Sequence, residues 1–524
     1  MSQENDPMSR RSVLKVAAVG GVGIVAGGSL IAGCASTNAS TNANTNASPP
    51  VELFQPKDQW LSQRASFLSG NKVLATSDGG AIRTKTFARE IYRPRSAQDI
   101  ASVIQSSPAT TPIACVCGGH ESSNSAMFAN SDAIILDFVH MKSIEFHRDN
   151  EGLLVTVGAG VVFRELVEAL KKNQGALPVG TGPWVGVIGY IVNGGLSGYF
   201  SRRLGLLSQR VVKMTMVTAS GEILVLTPKD ELFNAMLGAG SALGVVVDMT
   251  IRVEHESAIQ SAQQRVFTFE TREQAVTFSR GAMRIMRDRV LVNDSVSMEL
   301  VVTGTKALVA TVIFYDSFKG SAAEFVKPLE DLAASLNLPL VATAQWTSWY
   351  EAAAALWPVI ESIKGEPLVM STHCVGTIGM PDDKILDYVC DTLIAKAPLD
   401  EANFSLVEIR TLGGAAMTKT KVPSGNCHHL FFVDLVTMYD AKNKTVGERQ
   451  AIVDRTNFVI DKAREVNGLV VDFSGTHSQP DDVGSSVSAP VIFGTPAIAK
   501  TVQALKKQVD PNNRFRFHPF AKFV

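Results

Sequence analysis

Residues 183–206, PWVGVIGYIVNGGLSGYFSRRLGL, decide how this chain is read. The stretch sets six glycines (Gly186, Gly189, Gly194, Gly195, Gly198, Gly205) among apolar and aromatic residues, with the pair Arg202-Arg203 near its end. Glycine at this density leaves the backbone bare, so something flat or bulky can approach where a Cβ would stand in the way. Gly118-Gly119-His120 lies upstream, after the apolar run 112–116. Gly238-Ala239-Gly240-Ser241 lies downstream and opens the run 243–249. Any one cluster alone reads as a tight turn. Three in one continuous region point to a large, extended cofactor.

The chain has 524 residues, 45% hydrophobic and 19% charged, enough for a sizeable core and two or three domains. A formal net charge of −1, with no basic stretch beyond the first residues, implies neither nucleic acid nor a polyanionic partner. Ser9-Arg10-Arg11-Ser12-Val13-Leu14-Lys15 is a twin-arginine export signature, followed by a Gly/Ala-rich apolar run over 16–32. That run is shorter and richer in glycine than a span of about 20 apolar residues. Leu30-Ile31-Ala32-Gly33-Cys34 resembles a lipoprotein box, which makes Cys34 a lipid anchor and the chain an exported, membrane-tethered protein; cleavage at a nearby small residue is the alternative. Residues 34–50 read as a flexible low-complexity linker. The six cysteines (Cys34, Cys115, Cys117, Cys374, Cys390, Cys427) show no metal-ligand spacing and read as core thiols once Cys34 is set aside.

From Arg89 onward, short β-branched runs (112–116, 133–136, 153–157) alternate with helical patterns. Ser96-Ala97-Gln98-Asp99 opens one helix with an N-cap and an acid in the first turn. Phe163, Leu166, Val167 and Leu170 recur at helical spacing. After about residue 256 the strands and helices outline a second α+β unit.

Taken in order, the motifs resemble the flavin-dependent vanillyl-alcohol-oxidase superfamily, in its berberine-bridge-enzyme-like branch. They are Arg93-Pro94-Arg95-Ser96, Gly118-Gly119-His120, Ile135-Leu136-Asp137, Val157-Gly158-Ala159-Gly160 and Leu177-Pro178-Val179-Gly180. The 186–206 stretch, Val217-Thr218-Ala219-Ser220-Gly221-Glu222, Gly240-Ser241-Ala242-Leu243-Gly244-Val245-Val246 and Asp510-Pro511-Asn512-Asn513-Arg514-Phe515 complete them. The resemblance implies an α+β chain: a two-subdomain PCMH-type FAD-binding domain plus an α+β substrate domain with an antiparallel roof sheet. It divides the chain into a signal peptide (1–33), the linker (34–50), the FAD-binding domain (51–255, core 89–255), the substrate-binding domain (256–485) and a C-terminal return (486–524).

By this resemblance FAD is bound by Gly118, Gly119, His120, Glu121, Ser122, Ser123, Gly182, Val185, Gly186, Gly189, Tyr190, Gly194, Gly195, Gly198, Val245 and Asn513, with a covalent bond through His120 only. The basic residue usual before the glycines is replaced by Val116 and Cys117. The cysteine of a second flavin tether is replaced by Gly182, with Trp184 expected to fill its place. Val185 holds the oxygen-gating position and leans towards an oxidase.

The cofactor carries the electron chemistry, and the protein must supply a base for the substrate proton. Asp434 is a lone acid in an apolar strand, which reads as a catalytic base or as a buried acid paired with His428 or His429. Glu408 and Arg410 alternate on another strand, either as an ion pair or as a site for a substrate carboxylate. His477 stands where the family has a tyrosine. Trp346, Trp349, Tyr350 and Trp357 read as an aromatic lid or as a packed helix. Three functions follow: an FAD oxidase for an alcohol, sugar or secondary metabolite reoxidised by O2; a dehydrogenase passing electrons to a membrane quinone or cytochrome; or a non-catalytic flavin-binding lipoprotein.

Overall fold

The computed structural model describes residues 51–60, 64, 86–120, 132–304, 308–316, 320–362, 368–377, 379–399, 405–417, 422–440, 444–471, 488–517 and 521–524. The export signal, Cys34, the linker, Glu121, Ser122, Ser123 and His477 lie outside the described residues. The chain is α+β, as its alternation of strand and helix patterns predicts.

Strands β1 (Glu52–Leu53), β2 (Glu90–Arg93), β3 (Ile113–Val116) and β4 (Ile134–Asp137) form a small sheet in the order β1-β2-β4-β3. Its β2-β4 and β3-β4 pairs are parallel. Next come β5 (Ile144–Asp149), β6 (Gly152–Gly158), β7 (Gly175–Ala176), β8 (Val211–Val217), β9 (Ile223–Leu226), β10 (Val245–Arg252) and β11 (Glu254–His255). They build an antiparallel sheet β5-β6-β10-β8-β9, with β7 and β11 paired separately.

The helices follow from local chemistry. Ser96 caps Ala97–Ser106, its Oγ accepting from the Asp99 amide at 3.1 Å. Ile100, Ala101, Val103 and Ile104 fall on the buried side of that helix. Phe163–Lys172 buries Phe163, Leu166, Val167 and Leu170, and Glu165 in its first turn accepts from the Val162 amide at 2.9 Å.

The remaining strands are β12 (Ser261–Phe269), β13 (Val296–Gly304), β14 (Leu308–Asp316), β15 (Leu340–Trp346), β16 (Leu368–Thr377), β17 (Leu406–Thr411), β18 (Phe431–Asp440) and β19 (Leu469–Val471). They form one eight-stranded antiparallel sheet in the order β15-β12-β14-β13-β17-β18-β16-β19. Side chains alternate across a strand, so each register fixes which residues share a face. On one face Phe267, Leu300, Val302, Phe314, Val407, Ile409, Val433 and Leu435 pack on helices Arg272–Ile285, Ala323–Ser335 and Val446–Arg464. The opposite face carries Ile313, Tyr315, Glu299, Glu408, Arg410, Phe432 and Asp434. It turns towards the N-terminal sheets, since Ile313 and Tyr315 share a core with Tyr199, Phe200, Val187 and Phe163.

Two arginines tie the chain together. Arg514 lies in the final turn, where its guanidinium donates to the Thr111, Ile104 and Ala219 carbonyls. Arg202, 2% exposed, leaves the glycine-rich stretch and reaches the second half of the chain. It donates to the carbonyls of Val290 (2.9 Å), Asn293 (3.2 Å), Val296 (3.3 Å) and Leu412, and to the Asp294 carboxylate at 3.0 Å. The aromatic cluster is packing rather than a lid: Trp349 is fully buried, donates to the Leu177 carbonyl at 3.2 Å and lies against Phe200. Deleting the Arg202 fork strands buried carbonyls, each costing about 1–3 kcal/mol. Arg202→Ala should therefore lower stability by about 3 kcal/mol or more, read as a fall in the denaturant midpoint; an unchanged midpoint would contradict the clamp.

Candidate active site

The glycine-rich floor differs in part from its sequence reading. The loops at 117–119 and 184–186 interlock with each other. A Cβ on Gly118 would collide with the Trp184 carbonyl, and one on Gly186 with the Cys117 thiol. Gly119 takes φ +68°, a left-handed conformation that glycine adopts without strain. Gly194 and Gly195 turn the backbone against residues 207–208: the Gly194 carbonyl accepts from Ser208 Oγ at 2.6 Å, and the Gly195 carbonyl accepts from the Leu207 amide. Gly198 leaves room for Arg410, whose Cδ would collide with an added Cβ. These bare backbones meet protein, not an open site. Gly189 is different: a Cβ there would meet no described atom within 4 Å.

His120 and Gly182 face each other, with a Gly182 Cβ falling 3.5 Å from His120 Nε2 and 2.9 Å from Val185 Cγ2. Burial holds the His120 imidazole down to about 4, so it is neutral at neutral pH. The Trp184 indole does not fill the space beside Gly182. It stacks under Arg164, whose guanidinium lies 4.8 Å from its ring and 5.3 Å from that of Trp357. Tyr190 packs edge-on against Phe163 at 4.9 Å, and its buried hydroxyl has no hydrogen-bond partner among the described residues. A cation does stand by the first glycine loop, where the local sequence has none. Arg64 donates to the Cys117 carbonyl and pairs with Asp137 at 3.1 Å, and Asp137 also holds Arg93 at 3.1 Å and Trp60 at 2.9 Å.

Two predicted contacts fall elsewhere. Asn513 is exposed in the last turn, at φ +49°, beside Arg514, whose carbonyl meets the first residue of β3; the glycine loop leaves the other end of that strand. Val245 is fully buried in the core between the two N-terminal sheets.

The roof carries the charge. Glu299 stands directly opposite Arg410, and Glu408 opposite Asp434, so four charged side chains share the floor-facing side of β13, β17 and β18. Arg410 meets Glu408 at 2.5 Å, Asp434 at 3.3 Å and Glu299 at 3.6 Å. Asp434 pairs with Arg410, and Glu408–Arg410 is an ion pair. Glu299, which the sequence reading passed over, carries the same signal as Asp434: a lone acid in the apolar strand VSMELVVTG. Burial first, then the neighbouring Glu408 charge, holds the Glu299 carboxyl well above the usual carboxylate range; burial does the same for Asp434 against the pull of Arg410. Tyr199 stacks on Tyr315 at 4.5 Å and accepts from Thr181 Oγ1 at 2.9 Å, which places phenols between floor and roof.

The residues present suit an extended planar cofactor: a histidine beside a bare Gly182, open space at Gly189, a Tyr190 hydroxyl with no partner among the described residues, and carboxylates on the roof strands. Among the described residues no cluster of His, Cys, Asp and Glu has the make-up of a metal site.

Residues 88–227 match the FAD binding domain family. (R)-6-hydroxynicotine oxidase of Paenarthrobacter nicotinovorans is 33% identical over 193 residues, covering 35% of this chain and 41% of that protein. The chain thus spans about two fifths of the length of that curated relative. Among solved structures, 6-hydroxy-D-nicotine oxidase from Arthrobacter nicotinovorans aligns with TM-score 0.70 at 20% identity, over 90% of this chain and 97% of that one. Glucooligosaccharide oxidase from Acremonium strictum, whose FAD is 6-S-cysteinyl and 8α-N1-histidyl, aligns with TM-score 0.69 at 16% identity, over 88% and 95%. At such identities these two structures show the fold.

Removing Arg410 would take a shared counter-charge from Glu299, Glu408 and Asp434. The native pKa values of Glu299 and Asp434, already above the ordinary range through burial, would rise further, so the stability their protonated forms allow is present at low pH and lost as pH rises. Arg410→Met should cost about 3–5 kcal/mol near neutral pH, with the deficit shrinking as pH falls towards 4. Denaturant midpoints across pH measure this, and a pH-independent deficit would contradict the charge balance.

Proposed function

We propose that this chain, whose residues 88–227 match the FAD binding domain family and whose fold aligns with that of 6-hydroxy-D-nicotine oxidase, is a flavoprotein of the vanillyl-alcohol-oxidase superfamily and an FAD-dependent oxidase acting on an alcohol, sugar or secondary metabolite. The observation that carries the reading is the Glu408–Arg410 pair on the roof strand, whose arginine rests on Gly198 of the glycine-rich stretch. FAD supplies the two-electron acceptor for hydride from the substrate carbon, and O2 is the final oxidant.

The chain's own residues divide the remaining work. Of the three roof carboxylates, Glu299 (0%) and Asp434 (1%) are closed off, whereas the Glu408 side chain keeps 13% of its surface. Glu408 is therefore the base that takes the substrate hydroxyl proton, and Asp434, the first choice from sequence, stands beside it on β18 with its side chain closed off. Arg410 orients the Glu408 carboxylate through their 2.5 Å contact. Tyr190 offers its unpartnered hydroxyl from the floor. His120 is the single covalent attachment point: its imidazole is neutral and hence nucleophilic, and Gly182 beside it supplies no thiol. Val185, next to Gly182, holds the position whose small side chain favours the oxidase reading. The twin-arginine signature and the Leu-Ile-Ala-Gly-Cys34 box support export in folded form and a lipid anchor on the outer face of the membrane.

The experiment is to precipitate purified holoprotein in acid and map flavin by mass spectrometry. Yellow colour should stay in the pellet, with the adduct on the His120 peptide alone; flavin released to the supernatant would sink the covalent attachment. Once a hydroxylated substrate bleaches the flavin, Glu408→Gln should slow bleaching by about 10²–10⁴-fold, and more than Asp434→Asn does. The reverse order would assign the base to Asp434.

A further inference from the structure

Glu299, Glu408 and Asp434 share the Arg410 guanidinium, and Glu299 holds it most loosely. Glu299 lies on the same face as Glu408 and diagonal to it, because Val301 pairs with Glu408 while Glu299 itself pairs with Arg410. At 3.6 Å from Arg410, it has the longest of the three ion-pair contacts there, while Glu408 holds the shortest. Its side chain is fully buried. Burial and the neighbouring Glu408 charge both oppose ionisation of Glu299, so of these two carboxyls Glu299 is the one disposed to keep a proton.

The geometry points to Glu299 as a positioning residue: a neutral carboxylic acid that shares its proton with Glu408 and so holds Glu408 as an oriented, unprotonated base. The titratable and charged groups facing Glu299 are Tyr315 from β14, Arg410 and Glu408 from β17 and Tyr199 from the glycine-rich floor, with Asp434 one strand further on β18. Only Arg410 among them is cationic, and Glu408 and Asp434 lie nearer to it. The proton balance closes. The substrate hydroxyl proton moves to the Glu408 carboxylate, the hydride pair leaves for the flavin, and Glu299 keeps its own proton. Glu408 then returns the acquired proton to water along its exposed edge. The inference rests on the reading of Glu408 as base, but its test needs no substrate.

Infrared difference spectroscopy of the resting holoprotein at neutral pH, with and without glutamate labelled at the side-chain carboxyl with carbon-13, tests it. A carboxylic-acid carbonyl band should be present, shift with the label and disappear in Glu299→Gln. No labelled acid band, or a band that survives in Glu299→Gln, would overturn the proposal. The labelled wild type keeps the test valid should the variant fold poorly. The pH profile of flavin bleaching adds a readout that a merely structural role would not move. Glu299→Leu should raise the acid-limb pKa by about one unit, whereas Glu299→Gln, which retains a donor, should leave it nearly in place. A fall of about one unit in Glu299→Gln would mean that Glu299 was ionised, and would refute the shared proton. Loss of bleaching in Glu408→Gln tests the base itself, so the two failures are separable.

Discussion

Arg410 resting in the space left by the missing side chain of Gly198 is the contact on which the active face depends. It is the guanidinium amid three roof carboxylates, and its stem lies against the backbone of the opposite half. Charge at this depth is tolerated only when paired and well oriented. A Cβ at position 198 would push the arginine away from the acids it balances. Arg202, four residues on, crosses the same boundary in the other direction and closes on carbonyls of 290–296 and 412. The glycine-rich stretch thus serves as a docking strip for the roof as much as a floor for a cofactor.

The same strands explain why the acids point where they do. Along β17 and β18, Val407, Ile409, Val433 and Leu435 enter the helix-backed core, so Glu408, Arg410 and Asp434 must project to the floor. A one-residue slip of register would bury the charges among leucines and expose the core, which pins the site to the hydrophobic pattern. Fold and catalytic geometry are here one constraint. The low-dielectric setting strengthens the Arg410 contacts and also makes a retained proton on a spare carboxyl favourable.

Much of this was legible in the sequence because it rests on local pattern. The Ser96 cap, the amphipathic stretch from Phe163, the apolar strands and the lone acid Asp434 were read from residues near each other in the chain. Glu299 carried the same signal as Asp434 and could have been found by the same rule. What escaped depends on long-range packing. The glycine clusters were read as approaches to a flat group, yet Gly118, Gly186 and Gly198 meet protein, and only the structure separates them from Gly189. Arg64 supplies a cation beside the first glycine loop from more than fifty positions upstream, and no local pattern announces it. Trp184 and Asn513 show the converse: family position suggested the site, while packing sends the indole under Arg164 and leaves the asparagine in an exposed turn.

The measurement that bears most directly on this account is a double-mutant cycle between Gly198→Ala and Arg410→Ala, read from denaturant midpoints at one pH. Forcing a methyl into a filled space costs about 1–3 kcal/mol. Where Arg410 fills that space, Gly198→Ala should show this cost in the wild type and lose most of it once Arg410 is truncated, giving a coupling energy close to the whole penalty. Additive effects of the two substitutions would mean that Arg410 does not lie against Gly198, and would contradict the account.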